Sequence, residues 1–368
     1  PSTQAVGPKI AWVGEHEPEV FARARRLFMP ASWLAFQLTG EYVLDHHSAS
    51  QCTPLYDTVA QEWYGPWASD IVGDIELPRL VWADSVVGTV GKSAASATGL
   101  PAGIPVVAGT IDAWTEAISV DSHNPGDLML MYGTTMFLVN TVEDRVTIPG
   151  LWGTVGAFAG THNVAGGMAT SGAITGWLRD LCGSPDYSEL LADAARSPAG
   201  SRGLLVLPYF AGERTPIADP HARGIVAGLT LEHQRGDLYR AALEATAMGV
   251  RHNVEAMRAA GSTITRVVAV GGGAQGDLWL QIVSDVTGLS QNVPTQTIGA
   301  SLGAAFLAAR SLGPADITTW NPIARVVEPS PEREDGYAEL YGLYRELYEN
   351  TATISHTLAK RQRATQED

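Results

Sequence analysis

Residues 266–280 run Arg266-Val267-Val268-Ala269-Val270-Gly271-Gly272-Gly273-Ala274-Gln275-Gly276-Asp277-Leu278-Trp279-Leu280. The stretch Arg266–Val270 is a short, β-branched apolar run, which predicts a buried strand. Three consecutive glycines then permit a turn that residues with a Cβ rarely adopt. Beyond them Leu278, Trp279, Ile282 and Val286 recur at helical spacing, so the strand passes through a tight turn directly into a helix. That succession is the building unit of an α/β protein. A backbone without Cβ at the mouth of a helix also lets a phosphate reach free N–H groups, which makes these residues a candidate anion cradle. A packing turn with no ligand accounts for the same glycines.

Gly271, Gly273 and Gly276 also spell the spacing of a dinucleotide-binding fingerprint. That reading requires a carboxylate about 20 residues further on to hold a ribose. The segment there is Gln291-Asn292-Val293-Pro294-Thr295-Gln296, which has none, and no second mononucleotide half follows. A dehydrogenase is set aside.

Outward from this unit, helical and strand patterns alternate along the chain. Residues 127–140 read as two strands joined at Gly133-Thr134-Thr135, a hairpin turn that adds hydroxyls to a second candidate phosphate loop. Asp237–Gly261 and Gly299–Leu312 read as helices, and Gly203–Tyr209 as a strand. Ile104–Ala108 reads as a short buried strand followed by a Gly-Thr turn. Nearer the start, helices are predicted over Glu19–Phe28 and over Ala31–Leu38, the latter ending at Gly40. The proline-bearing stretch Pro314–Pro331 reads as an aperiodic connector. It leads to a last helix whose stripe of Tyr337, Leu340, Tyr341, Tyr344, Leu347 and Tyr348 is expected to face the core.

Apolar residues make up 45% of the 368 and charged residues only 17%, the balance of a chain that buries a large core. The net charge of −15 gives no basic footprint, so nucleic acid and anionic membrane surfaces are not expected partners. An anionic ligand would have to be held by backbone dipoles. Cys52 and Cys182 are too few for a disulfide framework or a zinc site, which fits a reducing, cytoplasmic setting. No apolar run approaches the roughly 20 residues of a spanning helix, and the first residues lack the pattern of a signal peptide. The chain opens Pro1-Ser2-Thr3, without methionine.

One carboxylate stands out. Asp112, in Ala108-Gly109-Thr110-Ile111-Asp112-Ala113, lies just past the end of the Ile104–Ala108 strand, where ligands of α/β sheets bind. It suits a base that accepts a proton from a hydroxyl, and equally an N-cap for a helix starting at Ala113. His46 and His47 follow Asp45, but neighbouring histidines point apart and no third ligand is evident, so no metal site is assigned.

Gly224-Ile225-Val226-Ala227-Gly228-Leu229 is followed, after seven residues, by Asp237-Leu238-Tyr239-Arg240-Ala241-Ala242-Leu243-Glu244. That pattern fits the second signature of the FGGY carbohydrate kinases at every constrained position, and the chain resembles that family. Lys9–His16 is similar to the latter part of the first signature, although Gln4 and Val6 depart from its opening. Leu38-Thr39-Gly40-Glu41, the Asp57 segment, Gly103–Gly109, Gly133-Thr134-Thr135 and Gly271-Gly272-Gly273-Ala274 are also family-like, and the xylulose kinase branch is the most similar. The resemblance implies a two-domain α/β fold of the ribonuclease H-like, actin and hexokinase type, its first domain incomplete. Residues 1–126 would be the remainder of the sugar-binding domain and 127–313 the nucleotide-binding domain. Residues 314–368 would be a connector and terminal helix near the domain seam.

The resemblance further implies ATP and Mg2+ as cofactors, a sugar or polyol as substrate, and Asp112 as the base that deprotonates the attacking hydroxyl. Gly133, Thr134 and Thr135 match its second phosphate-binding turn, and Gly172 a nucleotide-contacting glycine. Gly272, Gly273 and Asp277 match the adenosine-binding turn and the residue beyond it. A homodimer is left open. Two departures follow. Ala113 and then Trp114 stand where an asparagine usually follows the base, which changes the sugar contact. No Asp-x-Gly-Thr strand-turn is found, so roughly the first hundred residues of a family member are expected ahead of Pro1. The competing expectation is a catalytically silent remnant that still binds nucleotide or sugar.

Overall fold

A computed structural model describes residues 5–147 and 149–367, with side chains described through residue 364. Gln4, one of the departures noted above, lies outside the described residues.

The amino-terminal half begins with α1 (Val6–His16), α2 (Pro18–Arg23) and α3 (Pro30–Thr39). The helix expected over Glu19–Phe28 stops at Arg23. Ala24 turns to extended backbone (ψ 137°) because the next residues pair with another segment, Arg25 and Arg26 meeting Glu76. α3 ends as predicted at Gly40, whose φ of 83° and N–H bond to Phe36 form a left-handed cap. There follow β1 (Val43–Asp45), α4 (His46–Ser50), β2 (Tyr56–Asp57), β3 (Glu62–Trp63) and α5 (Gly65–Val72). β4 (Arg79–Val81), β5 (Val86–Thr89), α6 (Lys92–Thr98), β6 (Pro105–Val107) and α7 (Asp112–Ser119) complete this half. Its strands pair two at a time, β1 with β4, β2 with β3 and β5 with β6. The strand expected as buried over Ile104–Ala108 is therefore shorter and partly exposed, since among the described residues β6 pairs with β5 alone.

One sheet organises the rest. β7 (Asp127–Tyr132) and β8 (Met136–Val142) form the predicted hairpin, and β9 (Trp152–Val155) and β10 (His162–Met168) extend it. α8 (Gly172–Leu181), α9 (Tyr187–Arg196), β11 (Leu205–Leu207), β12 (Ile225–Ala227) and α10 (Arg235–Ala259) come next. Then follow β13 (Arg266–Val270), α11 (Asp277–Thr287), β14 (Gln291–Pro294) and α12 (Ala300–Arg310). α13 (Ile317–Trp320), β15 (Ile323–Val327) and α14 (Glu334–Glu367) close the chain. The strand order is β15-β14-β13-β7-β8-β10-β9, with β7, β10, β13 and β14 pointing the same way.

Alternate residues of β7 feed two cores, as a pleated strand must. Leu128, Leu130 and Tyr132 pack with Leu243, Met248 and Leu280 from α10 and α11. Met129 packs on the other face with Trp114 and Ile118 from α7 and Phe306 and Leu307 from α12. The helix that starts at Asp112 is thus built into the back of the large sheet. Pro314–Pro331 is more than a connector, because it contributes α13 and the edge strand β15, antiparallel to β14. The strand expected over Gly203–Tyr209 narrows to Leu205–Leu207. Tyr337, Tyr341 and Tyr344 of α14 are buried in the core under α10 and α11, with the Tyr344 hydroxyl 2.7 Å from that of Tyr209.

Candidate active site

Because β7, β10 and β13 are parallel, the turns that follow them meet at one end of the sheet. After Tyr132 the chain reverses through Gly133-Thr134-Thr135, with the Gly133 N–H donating to the Thr135 carbonyl at 3.2 Å. The start of α8 clamps this turn from behind. Ser171 and Ala173 N–H groups donate to the Thr134 carbonyl at 3.1 and 3.0 Å, and Gly172 N–H to that of Gly133 at 3.0 Å. A Cβ on Gly172 would lie 2.6 Å from the Gly133 carbonyl oxygen, so glycine is required there by the turn itself. Among the described residues, the N–H groups and hydroxyls of Thr134 and Thr135 have no partner. The turn therefore presents a rigid set of open donors, which suits phosphate oxygens.

The glycine turn after β13 lies alongside. Gly271 adopts φ 90°, donates to the Thr297 carbonyl at 2.6 Å, and would carry a Cβ only 2.5 Å from the Tyr132 carbonyl oxygen. Gly272 opens a short 3-10 turn over Gly272–Gln275, and its Cβ direction meets nothing within 4 Å. Gly273 faces inward, where a Cβ would lie 2.7 Å from the Trp279 ring and 3.0 Å from Tyr132. Its glycine thus serves packing, and Gly272 presents the open face. Asp277 is the first residue of α11, exposed and ion-paired with Arg325 of β15.

Asp112 is placed by an independent set of contacts. Ala108 and Gly109 N–H groups donate to the Ser85 and Ala83 carbonyls, each at 3.0 Å, with Gly109 at φ 70°. The Thr110 hydroxyl donates to buried Asp45 Oδ2 at 2.8 Å. Burial holds the Asp45 carboxyl above its usual range, against the lowering effect of the Ser48 and Thr110 hydrogen bonds. Ile111 occupies the N-cap position, so Asp112 is the first helical residue, one place later than the N-cap reading requires. Its Oδ1 accepts the adjacent Ala113 N–H at 2.8 Å, and among the described residues Oδ2 accepts none. The side chain is exposed.

The rest of α7 is locked. Trp114 stacks on His47 at 3.7 Å between ring centroids, and its Nε1–H donates to Asn163 Oδ1 at 2.8 Å. His47 Nδ1 lies 2.7 Å from the Val155 carbonyl, and burial pushes its pKa down to about 4. His46 instead contacts the Tyr56 hydroxyl at 2.8 Å, so the adjacent imidazoles serve different neighbours. Buried Glu116 accepts the Gly299 N–H at the start of α12, 3.0 Å from each carboxylate oxygen. Thr297, two places earlier, accepts from Gly271, so one short segment ties the Asp112 helix to the glycine turn.

Sequence reasoning missed Glu116, Asp45 and a third buried carboxylate, Glu213. Glu213 Oε1 accepts the N–H groups of Ala169 and Arg214, both at 2.7 Å, and thereby fixes the chain just ahead of Ser171. Burial pushes Glu213 up to about 8. The signal available was local: Gly212-Glu213-Arg214-Thr215-Pro216 sets two charges between turn residues just past a strand.

A sheet with open-donor turns at one end, and a helix carrying an exposed carboxylate packed on its back, has the groups that phosphoryl transfer to a hydroxyl calls for. The match to known proteins is direct. Residues 2–119 match the N-terminal domain of the FGGY family of carbohydrate kinases, and residues 128–312 match the C-terminal domain of that family. The chain belongs to the FGGY family and is a carbohydrate kinase. It is 30% identical to a xylulose kinase of Staphylococcus epidermidis over 360 residues, 95% of this chain and 72% of that one. It is 33% identical to a ribulokinase of Mycolicibacterium smegmatis over 368 aligned residues, covering 91% of this chain and 64% of that one. The crystal structure of a xylulose kinase from Rhodospirillum rubrum superposes with a TM-score of 0.89 at 30% identity, covering 96% of this chain and 74% of that one. Among the described residues no helix is long and apolar enough to cross a membrane.

Proposed function

We propose that the protein transfers the γ-phosphoryl group of ATP to a hydroxyl of a ketopentose or a related sugar or polyol, with Asp112 as general base. The observation that carries this is the Asp112 carboxylate: one oxygen is fixed by the Ala113 N–H, and the other is left open at an exposed helix start. In the step, the sugar oxygen bonds to the γ-phosphorus and the bond to the β,γ-bridging oxygen breaks. ADP departs, and the hydroxyl proton passes to Asp112. Such a transfer needs alignment and charge stabilisation more than covalent help.

The unpartnered donors of Thr134 and Thr135, with Gly133, would receive the phosphates. The open face of Gly272, with Gly273 and Asp277 behind it, would receive the adenosine, and Gly172 would act through the turn it supports. Mg2+ in such sites is held by one or two carboxylates together with substrate phosphates. Among the described residues no group of three acidic, histidine or cysteine side chains is gathered at one place. Bound with the phosphates, the ion would supply charge neutralisation on the triphosphate. We take residues 1–126 as the sugar-binding part and 127–313 as the nucleotide-binding part. The xylulose kinase and ribulokinase relatives support a pentulose as acceptor.

The test is a panel of ketoses and polyols offered with Mg·ATP, followed by ADP release. One acceptor should stimulate release well above the sugar-free rate. Nucleotide binding without stimulation by any acceptor would favour the silent binding module.

A further inference from the structure

Residues 213–215 are clamped to the end of β10. Glu213 Oε1 takes the Ala169 and Arg214 N–H groups at 2.7 Å, and Thr215 Oγ1 accepts the Gly167 N–H at 2.7 Å. Four residues beyond Gly167, Ser171 begins the run of N–H donors that holds the Gly133-Thr134 turn. The strand end that leads into the support of the candidate phosphate turn therefore also fixes the backbone of Arg214. The Arg214 side chain is exposed and, among the described residues, makes no hydrogen bond and no ion pair.

Arg325 of β15 is already committed to Asp277 at the start of α11. In a protein of net charge −15, a triphosphate meets a repulsive background, and an uncommitted guanidinium within its reach would change the local sign. Guanidinium is the side chain best matched to phosphate oxygens, through two parallel N–H bonds. The carboxyl next to it does not cancel the charge, because burial keeps Glu213 largely protonated near neutrality.

We propose that Arg214 contacts the β- and γ-phosphate oxygens of the bound nucleotide, with Glu213 as the positioning residue that fixes its backbone at the end of β10. The proposal rests on the reading of residues 127–313 as the nucleotide-binding part.

The experiment measures binding of ATP by calorimetry and of adenosine by ligand-observed NMR to the wild type, Arg214→Ala, Arg214→Lys, Glu213→Ala and Glu213→Gln. Loss of a charge-assisted contact should weaken ATP binding by roughly 10- to 100-fold in Arg214→Ala and leave adenosine within about twofold. Arg214→Lys should recover part of the loss, and Glu213→Gln, which keeps the acceptor oxygen, should retain more ATP affinity than Glu213→Ala. Retained adenosine binding also reports that each variant is folded. Equal ATP affinity in Arg214→Ala and wild type, with adenosine bound by both, would overturn the role of Arg214 alone. A wild type that binds neither ligand would overturn the nucleotide-site reading and this inference with it.

Discussion

Glu116 and Gly299 are joined through both oxygens of one buried carboxylate, each 3.0 Å from the Gly299 N–H. The residues lie far apart in sequence, and the contact closes the first turn of α12 onto the helix that carries Asp112. A negative group at a helix start is favoured by the orphan N–H groups and the helix dipole. Burial raises the Glu116 pKa, and the Gly299 and Ala300 N–H groups work against that shift. Glu116→Ala strands those donors and should cost about 1–3 kcal/mol in chemical denaturation. Glu116→Gln keeps one acceptor and should cost less. Equal stability of Glu116→Ala and wild type would show that the contact is incidental.

The crossing of α7 and α12 depends on a missing side chain. A Cβ on Gly303 would lie 1.9 Å from the Thr115 carbonyl oxygen, a backbone atom that cannot move without shifting α7. Gly303→Ala should therefore lower stability by roughly 1–3 kcal/mol, the usual cost of overpacking, and should displace Asp112 enough to reduce turnover. A melting temperature and rate both equal to wild type would contradict this packing.

The two glycines of the turn after β13 separate ligand crowding from core crowding. Gly272→Val adds a side chain into open space, so it should weaken ATP binding with little change in stability. Gly273→Val pushes against Trp279 and Tyr132 and should lower stability first. Thermal melts and ATP titrations of the pair distinguish the two, and the reverse assignment of effects would overturn the stated orientation of the turn.

His47 and Glu213 give opposite pH dependences. His47 stays neutral in the fold down to about 4, whereas the unfolded imidazole gains a proton below 6.5, so its contribution falls as pH drops from 6.5 towards 4. Glu213 keeps its proton in the fold up to about 8, whereas the unfolded carboxyl loses it above 4.5, so its contribution falls as pH rises from 4.5 to 8. Denaturation of His47→Gln should show a shallower loss than wild type between pH 6.5 and 4. Glu213→Gln should gain relative to wild type between pH 6.5 and 8. Parallel curves in either window would contradict the protonation state assigned to that residue.

Much of the sheet half is legible in the sequence because its elements are long and periodic. The 127–142 hairpin, the helix from Arg235 and the strand-turn-helix around Gly271 carry patterns that no tertiary contact needs to correct. β15 is not legible. It is an edge strand with four of its five residues exposed, so it shows no alternation and reads as a proline-bearing loop. The end of α2 is hidden for another reason, since Arg25 and Arg26 leave the helix to pair with Glu76 far along the chain. At the site, Asp112 and the glycine turns are visible because strand ends and glycines mark them locally. Glu116, Asp45 and Glu213 act by accepting N–H or hydroxyl groups from distant segments, and a single carboxylate in a sequence does not name its donors.

The central claim is that the open oxygen of Asp112 takes the proton of the sugar hydroxyl. The most direct measurement compares wild type with Asp112→Asn under saturating Mg·ATP and the best acceptor from the panel, following sugar phosphate formed alongside ATP affinity. Removing a general base should lower the rate by about 10²–10⁴-fold while ATP affinity stays within roughly threefold. Sugar phosphate formed by Asp112→Asn at the wild-type rate would contradict the assignment.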